Sequence, residues 1–138
     1  MPKKSGTRIE NYLAENCLPM KQIYTTLMAL LLVATSFATN DKTKSNGDWS
    51  TSPIWNLNRT PLDNDTIIIS AGDTVEVTNN IQLNNVAIFV YGVLDFSGGK
   101  LKLDNASKVI VVTAGKITGN GSNDQIQIGS NIVYKVYQ

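Results

Sequence analysis

The chain is predicted to fold as an all-β protein, a short parallel β-helix (β-solenoid) of about three coils, preceded by a signal-peptide helix and a flexible linker. Three observations predict it. Segments that open with a strand after an Asn-rich turn start at Thr66, Val86, Val109 and Ile132, spaced by 20, 23 and 23 residues, the period of one solenoid coil. Each full segment breaks into three short strand-like pieces separated by Gly, Asn and Asp turns. In KLKLD and QIQIG the alternation places Leu101, Leu103, Ile126 and Ile128 inward and Lys100, Lys102, Gln125 and Gln127 outward.

The amino terminus is read as two parts. Residues 1–19 are an upstream extension of polar character, and translation is expected to begin at Met20. Residues 20–38 read as a secretory signal peptide: Lys21, the apolar run Leu27–Val33, then Ser36-Phe37-Ala38 with cleavage after Ala38. The stretch Ile23–Ala38 holds sixteen residues including Thr25, Thr26, Thr35 and Ser36, short and polar beside the ~20 apolar residues that a membrane span needs. Membrane contact is therefore expected only where this segment stays uncleaved, and the protein is expected to be secreted or at the cell surface, the periplasm included.

Composition narrows the chemistry. With 138 residues, 42% hydrophobic and 17% charged, the chain has the make-up of one globular domain. The net charge is +1 and the only arginines are Arg8 and Arg59, so no nucleic-acid footprint is expected. Histidine is absent and Cys17 is the one cysteine, which removes the usual general base, the thiol nucleophile and the commonest metal ligands. No cofactor and no metal are expected. From Thr39 onward the chain carries eight basic and nine acidic residues and no cysteine, so packing and hydrogen bonding must hold it together without disulfides.

Residues 39–47 contain NDKTKSNG, polar and without an apolar period, and read as a flexible linker. Residues 48–65 lead into the repeat and bring Trp49 and Trp55 within seven residues. Two readings stand for these tryptophans: flat faces for stacking on sugar rings, or a lid over the open first coil, which a solenoid end requires.

Residues 66–138 are the coils. The strand pieces are Thr66–Ser70, Thr74–Val77 and Ile81–Leu83; Val86–Tyr91, Val93–Phe96 and Lys100–Leu103; Val109–Thr113, Lys116–Thr118 and Gln125–Ile128. Six residues into each unit stand Gly72, Gly92 and Gly115, marking a corner that needs positive φ or close backbone approach. One coil does not fold alone, since burying each side chain contributes ~1.5–3 kcal/mol against ~1–2 kcal/mol of backbone entropy per ordered residue. The first strand of each unit is apolar on both faces. With Ile68, Ile88, Val90 and Val111 inward, Ile69, Phe89, Tyr91, Val112 and Tyr137 form an outward stripe. Either residues 48–61 fold back over it through Ile54 or Trp55, or it is a contact surface for a glycan or protein partner.

The pattern Trp49-Ser50, Trp55, Pro61, Asp65, Ala71-Gly72 and Tyr91-Gly92-Val93-Leu94-Asp95-Phe96 resembles the extracellular eight-glycine domain and similar right-handed β-helix openings of secreted bacterial surface proteins. The resemblance covers nearly all of the chain after the signal segment. It implies an extracellular all-β module, often part of larger proteins that bind or process polysaccharide, and it carries over no catalytic residue.

A β-helix glycosidase needs two carboxylates facing one cleft. Asp95 is expected to face outward, while Asp73 and Asp104 sit at turns. The oxygen-rich runs Asp63-Asn64-Asp65 and Asn120–Asp124 lack the spacing of an EF-hand loop and read as turn chemistry. The expectation is an exported, non-enzymatic module for binding or adhesion at the cell surface, with a polysaccharide or surface protein as partner. Its candidate binding residues are Trp49, Trp55, Phe89, Tyr91 and Tyr137. The alternatives are the N-terminal part of a larger polysaccharide-degrading β-helix enzyme, or a purely structural repeat. Open strand edges at the C-terminal coil also invite self-association.

Overall fold

The computed structural model describes residues 38–135. The 1–19 extension, the signal segment up to residue 37 and Tyr137 lie outside the described residues. A leading coil holds β1 (Asn40–Lys42), β2 (Gly47–Asp48) and a 3-10 turn at Ser52–Ile54. The next coil holds β3 (Thr66–Ile69), β4 (Thr74–Val77) and β5 (Asn80–Leu83), followed by β6 (Ala87–Val90), β7 (Val93–Phe96) and β8 (Lys100–Leu103). Then come β9 (Lys108–Val111), β10 (Lys116–Gly119) and β11 (Gln125–Ile128), and β12 (Asn131–Lys135) closes the described chain.

Each strand up to β11 pairs in parallel with its counterpart one coil along, giving with β12 three sheets ordered β1-β3-β6-β9, β2-β4-β7-β10 and β5-β8-β11-β12. The protein is a β-solenoid of about three turns. The interior is a set of stacked columns: Ile67 beside Ile88, Ile69 beside Val90, Val75 beside Leu94, Val77 beside Phe96, and Leu101 beside Ile126. All ten of these side chains are buried.

Four expectations change. Residues 39–47 are not a linker: Asn40–Lys42 pair with Thr66–Ile68 and Gly47 pairs with Val75. Backbone ladders rather than apolar side chains hold this stretch, so a hydrophobic period could not reveal it. The repeat in the first sheet is 21 residues at both steps, with Thr66, Ala87 and Lys108 in register. The three corner glycines are not one column. Register in the second sheet aligns Thr74, Val93 and Lys116, which puts Asp73, Gly92 and Gly115 in one column and Gly72, Tyr91 and Ala114 in the one before it. Gly72 and Ala114 have φ of 89° and 75°. The fourth unit does not start another parallel rung. After Gly129, at φ 58°, β12 returns antiparallel along β11, so it covers one sheet edge, while β9 and β10 have no outer strand among the described residues.

Close approach explains Gly115 and Gly92. A Cβ at Gly115 would stand far inside van der Waals distance of the Val90 carbonyl oxygen, and one at Gly92 would meet the carbonyls of Ser70 and Asp73. Gly98 is the contrast, with φ of 92° and nothing within 4 Å of an added Cβ. Gly115→Ala is expected to destabilise by about 1–3 kcal/mol through backbone displacement. Gly98→Ala meets only backbone strain, about 1 kcal/mol. Equal urea midpoints for the two variants would remove the close-approach account of the corner.

Candidate functional site

Successive strand residues face interior and solvent alternately, and the three outward faces differ in chemistry. On the first sheet Lys42, Ile68, Phe89 and Ile110 stand in one row across the coils. On the second the rows are Asp48, Glu76, Asp95 and Thr118, and Thr74, Val93 and Lys116. On the third there are two polar rows, Asn80, Lys100 and Gln125, and Gln82, Lys102 and Gln127.

The first face is the candidate site. It exists because TIII, AIFV and KVIV carry apolar residues at outward as well as inward positions. Ile68 and Phe89 are half-buried, whereas Ile110 is 36% and Tyr91 42% exposed. Tyr91 stands just past β6 and borders a shallow depression of about 370 Å³ lined also by Lys42, Ile68, Ser70 and Ala71. A hydrogen-bond network fixes one wall: the Ser70 N–H donates to Thr43 Oγ1 at 2.9 Å, the Ser70 hydroxyl donates to the Thr43 carbonyl at 2.9 Å, and the Thr43 hydroxyl reaches Asp73. The leading coil and the next are thus tied together beside Tyr91.

This face holds two of the five expected binding residues, Phe89 and Tyr91. The tryptophans are corrected. Trp49 is 2% and Trp55 0% exposed, leaving no free ring face for a sugar. Their rings meet edge to face at 5.3 Å, and the Trp55 indole N–H donates to the Trp49 carbonyl at 2.9 Å. With Ile54 they join the interior cluster over the leading coil, and they do not cover the outward row. The phase of β3 is also corrected: Ile67 and Ile69 are buried and Ile68 faces out. In an unbroken apolar run alternation cannot assign the faces, and the pairing of Ile67 with Ile88 and of Ile68 with Phe89 decides it. In β9 it is Ile110 that continues the outward row, while Val111 lies in register with Val90 and Ile69.

Sequence reasoning missed a second polar cluster. Asp41 lies in register with Ile67 in the interior column, is 0% exposed, and neither carboxyl oxygen has a hydrogen-bond partner. Arg59 Nη1 is 3.8 Å away but is committed to Asp65, which accepts from both Arg59 nitrogens at 2.7 and 3.0 Å. Burial pushes the Asp41 carboxyl up from the ordinary aspartate range. Arg59 and the Leu57 backbone pull the other way, the latter without reaching hydrogen-bond geometry. No periodicity in NDKT signals this arrangement.

The remaining carboxylates serve turns and corners. Asp124 is buried and accepts from the N–H groups of Gly98, Asn120 and Gly121. Asp63 accepts from the backbone and side chain of Asn84. The Ser107 hydroxyl and the Asn85 N–H hold Asp104 below the usual carboxylate range. Asp95 accepts from the Thr118 hydroxyl on the outward side of the second sheet. Burial opposes ionisation of Asp48, but hydrogen bonds from Thr78 and Ser50 outweigh it and keep that carboxyl low. Among the described residues no group of three acidic, histidine or cysteine side chains is arranged to hold a metal ion, and no helix is long and apolar enough to cross a membrane.

No protein-family model, curated protein or solved structure matches the chain.

Proposed function

We propose that this protein is an exported, non-enzymatic β-solenoid module that binds carbohydrate at the cell surface through the outward face of its first sheet. The observation that carries the reading is a contrast within one molecule. The second outward face carries Asp48, Glu76 and Asp95 beside Thr74, Val93 and Lys116, and the third carries amides and lysines with the exposed Ile132 and Val133 confined to β12 at its edge, whereas the first presents Ile68, Phe89 and Ile110 in a row across three coils beside the exposed ring of Tyr91. Solvent-facing sheet surfaces are ordinarily polar, and an apolar exception bordered by polar groups marks a contact site. An exposed aromatic ring on a flat face offers the apolar side of a sugar a stacking partner, with the Tyr91 hydroxyl and the Lys42 ammonium at hand for its oxygens. Export rests on the pattern of residues 20–38, and likeness to the eight-glycine domain rests on the tryptophan, proline and glycine pattern; both are part of the proposal.

A glycan array probed with the protein and with Tyr91→Ala tests the reading. Binding to at least one neutral or charged glycan is expected, weakened about tenfold or more in the variant, as for an aromatic contact at the centre of an interface. Tyr91 is exposed, so the thermal midpoint of the variant should stay near that of the parent. Absence of binding to every glycan, or undiminished binding by Tyr91→Ala, would overturn the reading.

A further inference from the structure

From the third sheet we infer that the protein has a second contact surface, separate from the Tyr91 face, that takes a carboxylated polysaccharide. Charge is segregated on this solenoid. From Thr39 onward acids outnumber cations by nine to eight, yet the outward rows of β5, β8 and β11 contain no acid: they read Asn80, Lys100, Gln125 and Gln82, Lys102, Gln127. Antiparallel β12 borders these rows, with Lys135 in register with Gln125 and the exposed Ile132 in register with Gln127. The acids that face outward in one row, Asp48, Glu76 and Asp95, are on the second sheet.

Lys100 and Lys102 occupy successive outward positions of β8, roughly 6–7 Å apart along the strand. Neither Lys100 nor Lys102 forms an ion pair with a carboxylate of the described residues. The nearest acid along the chain, Asp104, turns to the Ser107 hydroxyl and the Asn85 N–H at the corner. On either side of the lysines, one rung away at ~4.8 Å, stand amides that both donate and accept. Hydroxyls and ring oxygens of a sugar chain need both capacities, and its carboxylates need the ammonium groups between them. Beside Lys102 the face dips into a depression of about 300 Å³ lined also by Gln82, Gln127 and, at its corner end, Asp104, and its outward rows on β5, β8 and β11 carry neither an aromatic ring nor an arginine, the groups that stack on bases and fork onto phosphates. It has no apolar groove for an amphipathic peptide. Charge complementarity therefore selects a hydroxyl-rich polyanion.

The experiment is affinity electrophoresis of the full chain in gels containing polygalacturonate, its methyl-esterified form, or polyglutamate. Retardation by polygalacturonate is expected, weaker as added salt screens the charges, with little effect of the esterified polymer. Lys100→Gln/Lys102→Gln should lower the affinity at least tenfold. It extends rows that already hold Gln82, Gln125 and Gln127, so the fold should survive, and circular dichroism checks it. Lys108→Gln/Lys116→Gln, with the same change in charge on the other two sheets, should leave binding in place. Equal losses in the two double variants, equal binding of the esterified polymer, equal binding of polyglutamate, or no retardation at all would each overturn the inference. If Tyr91→Ala abolishes glycan binding while the Lys100/Lys102 variant is silent, this surface fails and the Tyr91 reading stands.

Discussion

Trp55→Ala is expected to destabilise the protein by about 3–5 kcal/mol, the range for emptying a buried aromatic site. Trp55 is fully buried in the cluster that includes Ile54, Ile67 and Ile69. Its removal opens a cavity, discards the edge-to-face contact with Trp49 and leaves the Trp49 carbonyl without its indole donor. At about 4–8 °C per kcal/mol for a domain of this size, the thermal midpoint should fall by well over about 10 °C. The loss should be graded along the solenoid, because each coil is held chiefly by its neighbours. In hydrogen exchange, β1 and β3 should lose protection before β7 and β8. Trp55→Phe separates the terms: it keeps most of the volume and strands the carbonyl, at about 1–3 kcal/mol. A change below about 1 kcal/mol for Trp55→Ala would mean that the tryptophan pair does not close the interior.

Asp41→Val is expected to act in the other direction. A carboxyl group occupies the place that Ile67 and Ile88 fill in the following coils, with no hydrogen-bond partner and with its nearest cation engaged by Asp65. Replacing such a group by a β-branched apolar side chain should stabilise by about 1–4 kcal/mol near neutral pH, since Arg59 keeps both of its bonds to Asp65. The pH dependence has a definite sign. Burial raises the folded-state value of Asp41 above 3.8, so the folded protein holds this proton more tightly than the unfolded chain. Its contribution is present in full below the ordinary aspartate value and is lost as pH rises through the folded one. Asp48 and Asp104 are lowered and behave oppositely, contributing above the ordinary range and losing that contribution as pH falls through their folded values. Urea midpoints measured from about pH 3 to about pH 8 should show Asp41→Val losing the decline on the rising-pH side and keeping the acid limb. An unchanged profile would show that Asp41 is solvated in the native state.

Much of the fold was legible because it is local. Alternation in KLKL, VLDF and QIQI assigns faces one strand at a time, and Asn and Gly turns break the chain into pieces, so most strand limits agree with the structure to within a residue. The candidate site was half legible. Phe89 and Tyr91 stand at an outward face as expected, because VAIFVYG has too many apolar residues for one side of a strand. The tryptophans were ambiguous, since a sugar platform and a core lid call for the same residue type, and only burial separates them.

What the sequence by itself determined is the class of structure: short strands, three to a coil, stacked with one apolar face inside. Tertiary structure alone decided the register. Parallel pairing joins residues 19 to 28 positions apart, and in a run such as TIII no local preference distinguishes one phase from the other. That register put Ile68 outside and Ile69 inside and drew the polar stretch at Asn40–Lys42 into the first sheet. It buried Asp41 where the pattern has an apolar residue and turned β12 back along β11. All but the last follow from backbone hydrogen bonds to a strand distant in sequence, which satisfy their groups whatever side chains the segment carries; β12 instead turns back locally at Gly129-Ser130, where Gly129 takes a positive φ.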